Sequence, residues 1–232
     1  MSQSTNNAKR TIISLSNPKS PISESYRTLR TNISFTAVDN ELKVIMVTSA
    51  SPGEGKSTTA ANIAVTYAQS NYNVIVMELD LRKPTVHKTF NVTNRAGITH
   101  VLTNQASLEE VIRSTDIPNI DVISSGPIPP NPSELLGSNQ LVKVINGLKQ
   151  IYDIIIIDTP PLLAVTDAQL VASICDGVIL VVDSGQVKRS AAIDAKQKLD
   201  RVNAKILGVV LNNVKKKKND DYYYYYYGEK ED

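Results

Sequence analysis

The stretch Val44-Ile-Met-Val-Thr-Ser-Ala-Ser-Pro-Gly-Glu-Gly-Lys-Ser-Thr-Thr59 decides the fold of this chain. It reads as a buried strand, a tight Gly-rich turn and the start of a helix. The turn fits the phosphate-loop pattern G-x-x-x-x-G-K-[ST], with Ala50 at the first Gly position and Gly55, Lys56 and Ser57 in register. Main-chain N–H groups can wrap an anion only where the chain bends sharply, and Gly53 and Gly55 permit those angles. Lys56 supplies positive charge at β- and γ-phosphates, and Ser57 offers a hydroxyl to Mg²⁺. The helix that begins here points its unpaired N–H groups at the same anion. The candidate nucleotide-binding run is Ser51, Pro52, Gly53, Glu54, Gly55, Lys56, Ser57 and Thr58.

Outward from this loop, apolar runs at 73–78, 154–158, 177–183 and 205–212 read as strands buried on both faces, with a weaker run at 120–124. Apolar residues at three-to-four spacing predict helices over 58–69, 107–113, 133–151, 166–174 and 189–202. Strands alternating with helices imply an α/β protein of the P-loop NTPase type: a mostly parallel sheet with helices on both faces. Ligands of such sheets sit beyond the carboxyl ends of the strands.

Two of those ends carry acids. Ile154-Ile-Ile-Ile-Asp158 delivers a carboxylate to the loop side, where Asp158 would hold Mg²⁺ directly or through water. Val74-Ile-Val-Met-Glu78-Leu-Asp80-Leu-Arg82 carries two acids one residue apart and an arginine. Alternation points Glu78 and Asp80 to the same side, so one can serve the metal and the other take a proton from a substrate hydroxyl. The candidate metal set is Ser57, Asp80 and Asp158, the catalytic set Lys56, Glu78, Asp80 and Asp158, and Arg82 joins the nucleotide site.

The 232 residues suffice for one α/β domain, and a net charge of +2 gives no general basic field for nucleic acid. A lone Cys175 excludes an internal disulfide, suits a reducing cytoplasm and reads as core. His87 and His100 have no metal-ligand spacing and are expected at the surface. The polar N-terminus is unlike a secretory signal, and no apolar run approaches the roughly 20 residues of a membrane span.

Residues 1–19, Asn- and Ser-rich, are expected to be a flexible arm, the domain to run over 20–214, and 215–232 to be a coreless tail. Ser20 as N-cap and Pro21 open a helix with an apolar stripe of Ile22, Tyr26, Leu29 and Ile33, beside a charged face of Glu24, Arg27 and Arg30. By itself that face reads as solvated. The tail holds four lysines at 215–218, then Asn-Asp-Asp and six consecutive tyrosines. The lysines are a solvated linker or an attractor of anionic lipid, and phosphates on the tyrosines would outweigh their charge.

Together, the phosphate loop, the two acidic strand ends, Gly126-Pro-Ile-Pro-Pro-Asn-Pro-Ser-Glu-Leu135 and the tyrosine cluster resemble the bacterial tyrosine kinases of capsular and exopolysaccharide clusters. The likeness covers nearly the whole chain and is to the Gram-positive form, whose kinase is separate from its transmembrane activator. The resemblance implies an ATP- and Mg²⁺-dependent protein-tyrosine kinase. Glu24-x-x-Arg27-x-x-Arg30 then matches the motif that joins subunits into a homo-oligomeric ring. Tyr222, Tyr223, Tyr224, Tyr225, Tyr226 and Tyr227 become phosphoacceptors offered to a neighbouring subunit. The implied partners are the activator, or polysaccharide co-polymerase, a phosphotyrosine phosphatase and polysaccharide-synthesis enzymes as substrates. The implied location is the cytoplasm, at the inner face of the membrane.

The family's D-x-D-x-R motif appears here as Glu78-Leu-Asp80-Leu-Arg82, so its first acid is changed. The added methylene displaces the carboxylate of the candidate base by about an ångström, a misplacement that can cost roughly 10²-fold in rate. Two other readings share the fold. One is a switch ATPase like the MinD/ParA group, which would carry a second lysine where Ser51 stands and gives no reason for the tyrosines. The other is a non-catalytic assembly factor controlled by nucleotide.

Overall fold

The computed structural model describes residues 11–36 and 42–214. Ahead of the phosphate loop come α1 (Ile13–Ser16) and α2 (Pro21–Phe35). They are followed by β1 (Val44–Ser49), α3 (Lys56–Ala68), β2 (Val74–Glu78), α4 (Val86–Thr89), α5 (Ile98–Leu102), β3 (Ile112–Ser114) and β4 (Ile120–Ile123). The remainder is α6 (Pro132–Leu136), α7 (Asn139–Leu148), β5 (Ile154–Asp158), α8 (Asp167–Ala172), β6 (Gly177–Asp183), α9 (Arg189–Asp200) and β7 (Ile206–Asn212).

The strands form one sheet in the order β3-β4-β2-β5-β1-β6-β7, parallel except for β3. β1, β2, β5 and β6 are buried along their whole length, as unbroken Val/Ile runs require of strands covered on both faces. Alternation divides the core. Ile75, Met77, Ile155 and Ile157 face α5, α7, α8 and α9, whereas Val74, Val76, Ile154 and Ile156 face α3. α3 is buried on nearly every side, as its Ala/Ile/Val composition demands.

That burial explains a correction at the N-terminus. The expected arm of residues 1–19 is ordered from Thr11 onward in the described part, because α1 and α2 cover the outer side of α3. Ile12 is buried, the Ser14 N–H donates to Asn62 Oδ1 at 2.9 Å, and Gln69 donates to Ser14 O at 2.9 Å. Residues 1–10 lie outside the described residues.

α2 starts as expected, with the Ser20 hydroxyl accepting the Ser23 N–H. Of its stripe, Tyr26, Leu29 and Ile33 face the core, while Ile22 is 56% exposed and Phe35, at the other end, 70%. Three further expectations change. The helix over 133–151 is broken at Gly137, because Ser138 starts a second helix by accepting the Leu141 N–H. The helix over 107–113 is a single turn, held by Ser107 and Glu110, that runs into edge strand β3. The run at 205–212 is a sheet edge with Val209 and Leu211 more than half exposed, so only its inner face is covered.

Cys175 is in the core fringe, its Sγ donating to Val171 O at 3.1 Å, and burial pushes its thiol pKa up. His87 and His100 are half-buried rather than surface residues, and burial lowers the pKa of His87. Among the described residues no helix is long and apolar enough to cross a membrane.

Candidate active site

The phosphate loop leaves β1 and enters α3 through Gly55, whose φ of +92° and that of Gly53, +85°, are open to glycine at little cost. Beyond the loop lies a cavity of about 600 Å³. One wall is the loop itself, with Pro52, Gly53, Gly55, Lys56, Ser57 and Thr58. A second is the segment after β2, with Asp80, Arg82, Lys83 and Thr85. A third, more apolar wall is Pro160, Pro161, Ala164 and Val165. The prolines are placed by β1: Thr48 Oγ1 donates to Pro160 O at 3.1 Å, and the Leu162 N–H to Ser49 O at 2.9 Å.

Lys56 is the centre of the charged groups. Its Nζ lies 3.1 Å from Asp80 Oδ2, 3.4 Å from Asp158 Oδ1 and 3.2 Å from Ser57 Oγ. Burial works against the ammonium, but Asp158 and Asp80 outweigh it and raise its pKa. Asp158 is fully buried, and burial raises its carboxyl pKa against the opposing pull of Lys56. Its Oδ2 has no hydrogen-bond partner among the described residues. That free oxygen, the Asp80 carboxylate and the Ser57 hydroxyl fit Mg²⁺, a hard cation that takes oxygen ligands and usually keeps water and phosphate in its shell. Ser57, Asp80 and Asp158, the residues expected to hold the metal, thus all lie beside Lys56 Nζ.

Glu78 is placed differently from the expectation. It pairs in register with Asp158 across β2 and β5, on the α3 side of the sheet, and has no exposed surface. Its Oε2 accepts the N–H groups of Thr85 at 2.7 Å and Val86 at 2.5 Å, while Oε1 has no hydrogen-bond partner among the described residues. Burial first, and then the neighbouring Asp158, hold its carboxyl well above the usual carboxylate range. A general base must reach the proton it removes. Glu78 does not line the cavity, whereas Asp80 does.

Ser51 and Glu54 also turn away from the cavity. The Ser51 N–H donates to the Glu54 carboxylate, and Ser51 O accepts from Ser49 Oγ at 2.8 Å. Arg82 does line the cavity, and it is anchored by a residue that sequence reasoning missed. Asp167, fully buried at the start of α8, accepts from Arg82 Nε at 2.8 Å and Nη2 at 3.1 Å, and from Ser133 Oγ at 2.7 Å. Burial opposes ionisation of Asp167, but the bonds from Arg82 and Ser133 outweigh it and lower its pKa. Nothing in the local pattern signals Asp167, because its partner lies 85 positions away.

Glu24, Arg27 and Arg30 do not form one uniform solvated face. Glu24 and Arg27 pair at 2.7 Å, and Arg27 also donates to Pro18 O at 2.8 Å. Arg30 reaches across to the end of α3, donating to Thr66 O at 2.6 Å and to Ser70 Oγ. The six tail tyrosines lie outside the described residues.

The model of the AAA domain family matches residues 42–206. The chain is 46% identical to the tyrosine-protein kinase YwqD of Bacillus subtilis (strain 168) over 207 residues, covering 89% of this chain and 87% of that one. Among solved structures, the chimerical protein CapA2B2 superposes with a TM-score of 0.85 at 44% identity, covering 88% of this chain and 90% of that chain. The kinase domain of the Escherichia coli tyrosine kinase ETK does so with a TM-score of 0.87 at 32% identity, covering 90% and 82%. A phosphate loop facing two acidic strand ends, together with this degree of likeness over most of the chain, places the protein in the family of bacterial tyrosine kinases.

Proposed function

We propose that this tyrosine kinase transfers the γ-phosphoryl group of ATP to tyrosines of its own tail, Tyr222 to Tyr227, presented by a neighbouring subunit. The observation that carries the reading is the convergence of Asp80, Asp158 and Ser57 on Lys56 within 3.1–3.4 Å. Phosphoryl transfer needs positioning and charge neutralisation more than covalent chemistry from the protein. Ser57, Asp80 and Asp158 would hold Mg²⁺, which when bound neutralises charge on the β- and γ-phosphates. Gly53, Gly55 and Lys56 cradle the phosphates, and Pro160 and Pro161 give the cavity a dry wall against which a phenol ring can lie. Asp80, which lines the cavity beside Lys56, would besides its part in holding the metal be the acceptor of the phenolic proton, a reading supported by its position alone. Glu78 holds the Thr85–Val86 turn from below. Arg82, fixed by Asp167, presents its remaining N–H groups to the cavity.

The biological setting follows from the same family. The protein would act on capsule or exopolysaccharide synthesis, be engaged at the membrane's inner face by a transmembrane activator, assemble into a ring through Glu24, Arg27 and Arg30, and be reset by a phosphotyrosine phosphatase. A switch ATPase of the MinD/ParA kind fits less well, because Ser51 stands where that group's second loop lysine would be. Intact-mass measurement after incubation with ATP and Mg²⁺, with and without an activator's cytoplasmic segment, tests the reading. Successive additions of phosphate to the tail are expected, and none with Lys56→Met. No added phosphate under any condition would sink it.

A further inference from the structure

Glu54 occupies a position of the phosphate-loop pattern at which no side chain is specified, yet it is only 2% exposed. Its Oε1 accepts the Ser51 N–H, and its Oε2 accepts the N–H of Asp183, at the end of β6, at 3.1 Å. Its own carbonyl accepts from Asn212 Nδ2, at the end of β7, at 2.9 Å. The two strand ends are in turn locked to each other. The Ser184 N–H donates to Asn212 O at 2.9 Å, and Asn213 Nδ2 donates to Asp183 Oδ2 at 2.7 Å. The contact is close: a Cβ on Gly55 would lie 2.2 Å from Asn212 Nδ2. Neither Glu54 nor Asn212 lines the cavity.

We propose that Glu54 is a positioning residue for nucleotide binding. With Asn212 and the main chain of Asp183, it clamps the phosphate loop from behind in its ligand-receiving shape before the ligand arrives. The N–H groups that must meet phosphate are useful only if the loop is already bent, and each fixed turn removes ordering that binding would otherwise have to supply. The clamp needs two acceptor oxygens, since it ties down two N–H donors at once. A carboxylate meets that demand. Glutamine does not, because its NH₂ would face one of the two donors. The inference rests on the nucleotide reading of the loop but not on tyrosine as acceptor.

The test compares wild type, Glu54→Gln, Asn212→Asp and Lys56→Met in titrations with fluorescent Mg-ADP and in steady-state tail phosphorylation. Asn212→Asp replaces the donor to the Glu54 carbonyl by an acceptor. For Glu54→Gln the dissociation constant should rise about tenfold, as the loss of one bond and an unmet donor implies. KM for ATP should rise in proportion, while kcat at saturating ATP changes less than about threefold, because the clamp acts on ground and transition states alike. Asn212→Asp should weaken Mg-ADP binding by at least about threefold, and decides the matter if Glu54→Gln does not fold. Binding by Glu54→Gln within about twofold of wild type, or a fall in kcat with KM unchanged, would overturn the clamp. Wild type failing to bind Mg-ADP any better than Lys56→Met would instead overturn the nucleotide reading on which it stands.

Discussion

The two segments that face each other across the cavity are built in opposite ways. In the phosphate loop, Gly53 and Gly55 bring main-chain N–H groups toward the ligand, and a side chain, Glu54, ties the loop down from behind. In the segment after β2, the side chains of Asp80 and Arg82 face the cavity, and the main chain is tied down. Glu78 holds the N–H groups of Thr85 and Val86, and Asp80 Oδ1 accepts the Lys83 N–H at 3.0 Å. The difference suits what the proposed reaction would ask of each side. Phosphate is an anion that rows of N–H groups suit, whereas a metal ion and a leaving proton call for carboxylate oxygen. Each segment thus has one buried acid that accepts main-chain N–H groups, Glu54 in the loop and Glu78 after it, and neither can be told from a cavity-facing acid by its position in a motif.

Removing the charge that joins the two segments should have the largest effect. Lys56→Met is expected to lower phosphotransfer about 10³-fold, as loss of a transition-state charge contact does. It should also destabilise the nucleotide-free protein by about 3–5 kcal/mol, because Asp158 is left buried without its cation. Phosphotyrosine formation and urea unfolding measure the two losses, and unchanged stability would mean that the segments are not coupled through Lys56.

The next experiment decides whether Glu78 belongs to the chemistry or to the scaffold. As a holder of the Thr85–Val86 turn it should tolerate Glu78→Gln within about threefold, since the amide oxygen can accept the same two N–H groups. Glu78→Asp, one methylene shorter, should cost about tenfold by loosening the turn that carries Arg82 and Thr85. The reverse order, with Gln about 10²-fold slower and Asp intact, would restore Glu78 as the base.

A smaller effect tests the anchoring of Arg82. Asp167→Asn should lower stability by about 1–3 kcal/mol at neutral pH, the worth of hydrogen bonds to a buried charge. Asp167 has its pKa lowered in the folded protein, so the native state binds fewer protons than the unfolded one. Its contribution is present above the ordinary aspartate value of about 4 and is lost as pH falls through the lower folded value. The gap between wild type and Asp167→Asn in urea unfolding should therefore close as pH drops from about 5 toward 3. A gap independent of pH would show that Asp167 acts by packing and not by charge.

The phosphate loop, the central strands and the acids at the ends of two of them were legible in the sequence for local reasons. Unbroken apolar runs have one use in an α/β sheet, and a G-K-S turn after such a run has few others. The edges were less legible. Residues 107–113 carry a helical spacing, but the segment makes one turn before Ile112, Arg113 and Ser114 find partners on β4. The run at 205–212 is as apolar as the inner strands, yet it ends the sheet. α2 was legible from its cap and apolar stripe, but α1, inside the expected arm, is ordered because the outer side of α3 has to be covered, a demand written in α3.

What the sequence determined by itself is the chemistry on offer: a phosphate cradle, two acidic strand ends and a row of tyrosines, each recognisable from neighbours a few residues away. Only the tertiary structure decided which acids face the cavity. Asp80 does, Asp158 meets Lys56 while keeping one oxygen free, Glu78 and Glu54 point into the protein to hold main chain, and Asp167 fixes Arg82 from 85 residues away. The reason is physical. A carboxylate's role depends on which donors surround it after folding, and those donors come from strands that are distant in sequence and adjacent only in the sheet.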